Sequence, residues 1–256
     1  MKAGQTLWTR EELILAINLY CKLPFGRLHK GNPEIIHLAK LIHRTPSAVA
    51  LKLVNFASFD PSLRARGIKG ASNASKLDSQ IWNEFYSDWE TLAFESEKLL
   101  KKYDPSIVML PAKDDFSVIE RIGSTRERIV KTRVNQDFFR KMILASYNNT
   151  CCITGLNIPE LLVAGHIIPW SKDEKNRLNP RNGIAINALH DRAYELGYLT
   201  IMPDYTIKIA SSLKKDNSLR NRELFLQYNE NAIILPSRFL PDPDILKYHN
   251  EKCFLG

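Results

Sequence analysis

The sequence predicts an α+β protein, with a helical N-terminal part followed by a part built on strand, loop, strand and helix. Three observations carry this expectation. Apolar residues recur at helical spacing through the first hundred residues. A stretch containing Pro105, Pro111 and Gly123 then interrupts the pattern. Beyond Cys151, two short apolar runs flank a polar loop and lead into a helix start at Asn187. With 256 residues, 44% hydrophobic and 25% charged, the composition excludes collagen-like, disordered and low-complexity classes. At ~100–200 residues per domain, two units are expected. Their boundaries are 1–104 for the helical domain, 105–124 for a linker and 125–256 for the second domain.

The first helix opens at Thr9, which with Glu12 three residues later forms a capping box ahead of Leu13, Ile17 and Tyr20. Asn32-Pro33 reads as an N-cap and first-turn proline, with Ile35, Ala39 and Ile42 on one face. Thr45-Pro46 starts a third helix carrying Val49, Leu53 and Phe56 on one stripe. Only His43 and Arg44 separate the second helix from the third, the spacing of a helix-turn-helix arrangement. The opening LWTREE resembles the start of a Myb-type three-helix domain. In that arrangement the third helix is the reader, and Ser47, Lys52 and Asn55 are its expected outward, DNA-contacting positions. Leu77 to Asp104 reads as one long helix with Trp82, Phe85, Trp89 and Leu92 facing inward.

Charge bears on the partner. The chain carries a net +8, and Tyr20–Lys76 alone holds ten Lys and Arg against Glu34 and Asp60. Such an excess suits a polyanion. A second basic segment contains Arg121, Arg126, Arg128, Lys131 and Arg133, opposed by Glu127 alone. No apolar run approaches the ~20 residues of a bilayer helix, and MKAGQTLWTREE lacks the apolar core of a secretory leader. Cys21, Cys151, Cys152 and Cys253 are too few and too scattered for a disulfide framework. A cytoplasmic protein with no membrane association is therefore expected. Cys151-Cys152 has no partner pair for a structural zinc, which needs four ligands, and is expected to be buried packing.

The chemistry lies in CCITGLNIPELLVAGHIIPWSKDEKNRLNPRNGIAINALHDRAYELGYLTI. Leu161–Ala164 delivers His166 to the end of a strand, and Ile184–Ile186 leads into the helix that carries His190. Tyr198–Ile201 and Ile207–Ile209 read as a hairpin, and the C-terminus as a Pro-started helix. A neutral imidazole with a pKa near ~6.5 suits general-base work at physiological pH, and His166 is the expected base. Asn182 is either the brace of the loop or a metal ligand.

The block from Cys151 to about Leu213, through LLVAGHIIPW and NPRNGIAINALHDRAY, resembles the HNH endonuclease family, in its restriction-type branch. The resemblance implies a ββα-metal nuclease domain that hydrolyses DNA phosphodiesters with one divalent cation, Mg²⁺ or Mn²⁺. It implies His166, Asn182 and His190 as catalytic residues, with His190 holding the metal and Asp191, Glu195 and Asn182 as further candidate ligands. Two positions depart from the family pattern. Gly165 stands where many relatives have an Asp or His ligand, and Tyr194-Glu195 where they read Phe-Asp. Arg181 and Arg192 are candidate phosphate contacts beside the site, as are Arg126, Arg128, Lys131 and Arg133 upstream. Double-stranded DNA is the expected partner, with 5′-phosphate and 3′-hydroxyl products. A double-strand cut needs either two active sites or two successive nicks, and a homodimer is the expectation under the first. Two alternatives stand beside this reading: a DNA-binding regulator with a degenerate site, and a nuclease acting on RNA or single-stranded DNA.

Overall fold

The structure, a computed structural model, describes residues 6–67, 74–106 and 126–256, with only the backbone described for 126–130. The chain divides into two compact units, Met1–Lys141 and Met142–Gly256. The expected linker 105–124 falls outside the described residues beyond Ser106.

The first unit is helical: α1 (Arg10–Lys22), α2 (Pro33–Leu41), α3 (Pro46–Ala57), α4 (Pro61–Ala65), α5 (Lys76–Tyr86) and α6 (Trp89–Tyr103). Each helix start has a chemical cause. Thr9 and Glu12 form the capping box of α1. Asn32, Thr45 and Asp60 cap α2, α3 and α4, each ahead of a proline whose missing N–H costs nothing in the first turn. Inside, Tyr20, Phe56, Trp82, Tyr86 and Trp89 form a chain of ring contacts with centroids 5.3–6.4 Å apart.

Two expectations for this unit are corrected. The stretch 77–104 is two helices, because Asp88 leaves helical geometry and caps a new start, accepting from the Thr91 amide at 3.0 Å and its hydroxyl at 2.6 Å. Trp82, Phe85, Trp89 and Leu92 are nevertheless all buried. Lys52 and Asn55 do not face outward. Lys52 shares the buried stripe of Val49, Leu53 and Phe56 and is ion-paired with buried Asp78 at 2.8 Å. Its ammonium also lies 5.1 Å from the Trp8 ring centroid. Asn55 is buried too. The outward face of α3 carries Ser47 and Leu51 instead.

The helix α7 (Arg126–Ser146) begins in the first unit and ends in the second. Lys131 pairs with Glu90 at 2.9 Å, and Lys22 lies over the Phe138 ring.

The second unit holds β1 (Leu162–His166) paired antiparallel with β2 (Gly183–Asn187), with His166 opposite Gly183 and Gly165 opposite Ile184. The helix α8 (Ala188–Glu195) follows directly and packs across both strands. Next come the hairpin β3 (Leu199–Ile201) and β4 (Ile207–Ile209), then α9 (Ser211–Lys214), α10 (Leu219–Leu224) and α11 (Pro243–Lys252). Gly197 has a positive φ of 75°, and a Cβ there would sit 2.1 Å from the Cys253 carbonyl, so only glycine lets the C-terminus pass. No helix among the described residues is long and apolar enough to cross a membrane.

The C-terminal helix docks through His249, whose ring stacks on Tyr194 at 3.7 Å. Its Nε2 donates to the Tyr194 carbonyl at 3.1 Å, and the Thr200 hydroxyl donates to Nδ1 at 2.8 Å. Burial holds this imidazole down to about 4. Between pH 6.5 and 4 the unfolded chain therefore takes up a proton that the folded chain refuses, so this residue's contribution to stability is full above pH 6.5 and is lost as pH falls through 4. In urea unfolding across that range, wild type is expected to lose more stability than His249→Gln, and parallel curves for the two proteins would refute this assignment.

Candidate active site

His166 ends β1, where the strand hands over to a loop that returns at β2. Its Nε2 lies 2.9 Å from the Arg177 carbonyl. A carbonyl only accepts, so Nε2 carries the proton and Nδ1 carries the lone pair. The ring meets Trp170 edge-on, centroids 5.4 Å apart. Burial pushes the imidazole below its usual range, and the Arg177 hydrogen bond offsets this in part. The ring is accordingly neutral at neutral pH, the state in which it accepts a proton.

Asn182 closes the loop and is fully buried. Its Oδ1 accepts from the Ile168 amide at 2.8 Å, while Nδ2 donates to the Ile168 and Asn176 carbonyls, each at 3.1 Å. Its own carbonyl accepts from the Ile167 amide at 3.0 Å. The residue thus ties the chain just after His166 to the chain just before β2. Of its two readings the brace is the one realised; the expectation of Asn182 as a metal ligand is corrected, because its oxygen is engaged and enclosed.

The helix α8 separates two neighbouring residues that the sequence placed together. His190 sits at the third position after the N-cap Asn187, and its Nδ1 lies 3.0 Å from Asn187 Oδ1. Its Nε2 donates to the Leu224 carbonyl at 2.7 Å, and Phe225 and Tyr228 flank the ring at 5.2 and 5.6 Å. His190 is 3% exposed. The expectation that it projects to a metal is corrected: the ring is buried, its Nε2 is committed to the Leu224 carbonyl, and it faces Leu224, Phe225 and Tyr228. Asp191, one position on, turns instead to β1. A Cβ built on Gly165 would lie 2.6 Å from Asp191 Oδ1 and 3.3 Å from Ile186 Cγ2. The carboxylate therefore occupies the space that a side chain directly before His166 would fill. Burial, then the neighbouring Glu195 charge, raises Asp191 to about 6.

Residues 151–202 match the family model described as HNH endonuclease. This block belongs to the HNH endonuclease family. No curated protein matches the chain. Within the matched block His166 ends β1 opposite Gly183, Asn182 directly precedes β2, and the helix that follows turns Asp191 toward Gly165. Among the described residues no three His, Cys, Asp or Glu side chains gather into a metal cage.

The remaining residues singled out from the sequence distribute as follows. Glu195, one turn beyond Asp191, is exposed and ion-paired with Arg192 at 3.0 Å. Arg181 is held by Asp242 at 3.0 Å, at the start of α11. Lys131 is exposed and paired with Glu90. Arg133 is half-buried in the first unit, and the side chains of Arg126 and Arg128 lie outside the described residues. Cys151 and Cys152 are buried, and Cys151 Sγ accepts from the Asn187 amide at 3.3 Å, bracing the start of α8. Arg177, whose carbonyl orients His166, was not singled out. The polar loop SKDEKNRLNPRNG contains it, but no spacing rule marks a backbone carbonyl.

The closeness of Gly165 to Asp191 gives a direct test. Gly165→Ala is expected to leave the fold intact, displace the Asp191 carboxylate and lower nuclease rates on the order of 10²-fold, as ångström misplacements do. A variant that matched wild type in a cleavage time course would contradict the placement of Asp191.

Proposed function

We propose that this protein is a divalent-metal-dependent DNA endonuclease of restriction type, with His166 as general base, Asn182 as brace and Asp191 as the principal metal ligand. The observation that carries this reading is the pairing of a neutral His166, its Nε2 proton committed to Arg177, with a carboxylate lodged beside Gly165. A single half-buried carboxylate would suit a hard cation with oxygen ligands, Mg²⁺ or Mn²⁺, over a caged zinc. When bound, such an ion supplies Lewis-acid stabilisation of charge on the phosphate and leaving oxygen. His166 Nδ1 accepts the proton of the attacking water, and the Arg177 carbonyl steadies the imidazolium that results. Asn182 keeps the ring in place while this happens. Exposed Glu195, Arg192 and Arg181 are the further charged groups proposed to meet metal waters and phosphates.

The helical unit is proposed to hold duplex DNA. Exposed Arg27, Lys30, Lys40, Arg64 and Arg66 support this, as they supply the phosphate contacts once assigned to Lys52 and Asn55.

The test is plasmid cleavage with Mg²⁺ or Mn²⁺, using unmodified, methylated, hydroxymethylated and glucosylated cytosine, with EDTA and His166→Ala as controls. Metal-dependent cutting to 5′-phosphate and 3′-hydroxyl ends, abolished in His166→Ala, is expected. Linear product without a nicked intermediate would indicate two copies acting together. Retained DNA binding with no cleavage in any metal would favour a regulator, and preferential cutting of RNA or single strands would move the substrate class.

A further inference from the structure

We propose that Arg177 is a positioning residue for His166, acting through the carbonyl that its own side chain holds in place. The proposal rests on the reading of His166 as general base. The loop from Trp170 to Arg177 is closed on itself: Arg177 Nε donates to the Trp170 carbonyl at 2.9 Å, and the guanidinium lies 5.5 Å from the Trp170 ring centroid. The closed end presents two groups to His166 at once. The Trp170 ring meets the imidazole edge-on at 5.4 Å, and the Arg177 carbonyl accepts the Nε2 proton at 2.9 Å.

The rest of the loop has its own fastenings. Asp173 accepts from the Lys175 and Asn176 amides at 3.1 and 3.2 Å, and the Asn176 carbonyl is bound by Asn182. Leu178 is buried immediately after Arg177. What these leave to be set is the turn of the peptide at residue 177, and the Arg177–Trp170 hydrogen bond sets it. The ion pair of Arg177 with Glu174 at 3.2 Å is a poor alternative cause, because Glu174 is 80% exposed and such pairs contribute little.

If the 177 peptide turned away, the Nε2 proton would lose its acceptor. The imidazole would then be free to shift to the other tautomer, with the proton on the nitrogen that must accept one. Arg177 would thus act on the rate and not on DNA affinity.

Substitution separates this from a direct charge role. In glutamine, the amide nitrogen stands as many bonds from Cβ as arginine Nε does, and it carries a donor without a charge. In lysine that place is a methylene, and the charge survives. The experiment uses the full chain with ¹⁵N-labelled histidine at pH 8, the His166 signals being identified by their loss in His166→Gln. Wild type is expected to show the Nε2-protonated tautomer. Arg177→Lys is expected to mix the tautomers and to lower kcat about 10-fold or more, within the range a misplaced base forfeits, with KM held within about 2-fold. Arg177→Gln should recover most of both.

An Nδ1-protonated His166 in wild type would overturn the proposal, and this needs no variant to fold. So would a fully active Arg177→Lys beside an impaired Arg177→Gln, which is the pattern of a phosphate-binding charge. Tautomers are read without turnover, so a wild-type chain that cut no nucleic acid would refute the nuclease reading while leaving the Arg177 measurement decisive.

Discussion

The second unit depends on one side-chain amide, that of Asn182. Fully enclosed, it spends its oxygen on the Ile168 amide and its nitrogen on the carbonyls of Ile168 and Asn176. Those backbone groups belong to a long loop between two five-residue strands, where no ladder pairs them, and they close around the buried Asn182 side chain. Leaving such groups unpaired costs about 1–3 kcal/mol each. The same bonds that satisfy the loop also hold its two ends together, so His166 at the end of β1 and the start of β2 are fixed by one residue. In the proposed reading structural and chemical demands coincide there, since that reading needs a well-held imidazole beside a carboxylate.

The helical unit is organised by buried charge. Arg44 binds Glu12 through both oxygens and reaches the Thr6 and Leu7 carbonyls, so the α1 capping box is also the anchor of the preceding chain. Lys52 does the same for α5, its partner Asp78 being the capping-box acid of that helix. Breaking such a pair from one side costs about 3–5 kcal/mol because the other charge stays buried. Basic residues here are therefore of two kinds, those that assemble helices and those that remain exposed.

Much of this was legible in the sequence. Helix starts at Thr9, Asn32, Thr45 and Asn187 were readable because capping is local chemistry, and β1 and β2 because two apolar runs bracket a polar loop. The misreadings share a cause: polarity was allowed to outweigh position. Lys52 lies three residues from Val49 and four from Phe56, which places it on the buried stripe whatever its charge. His190 lies three and four residues before buried Ala193 and Tyr194, the spacing of a core-facing residue, and three after its N-cap, where a side chain folds back onto the cap. Asp191 on the neighbouring face is the one that reaches Gly165, so the missing side chain at 165 is the trace of the carboxylate that fills its space. The break at Asp88 escaped notice because Trp89 and Leu92 continue the apolar pattern across it. The Arg177 carbonyl had no signature at all, since a backbone acceptor is placed by loop closure alone.

The central claim is that Asp191, and not His190, brings the metal to His166. Mn²⁺ titration of the full chain by electron paramagnetic resonance, on wild type, Asp191→Ala and His190→Gln, tests it most directly. Asp191→Ala is expected to weaken Mn²⁺ binding by ten-fold or more, on the order of what metal-site substitutions cost. His190→Gln is expected to keep the affinity of wild type and to lower thermal stability, because the Leu224 carbonyl loses its donor. Wild-type Mn²⁺ affinity in Asp191→Ala with binding lost in His190→Gln would contradict the account.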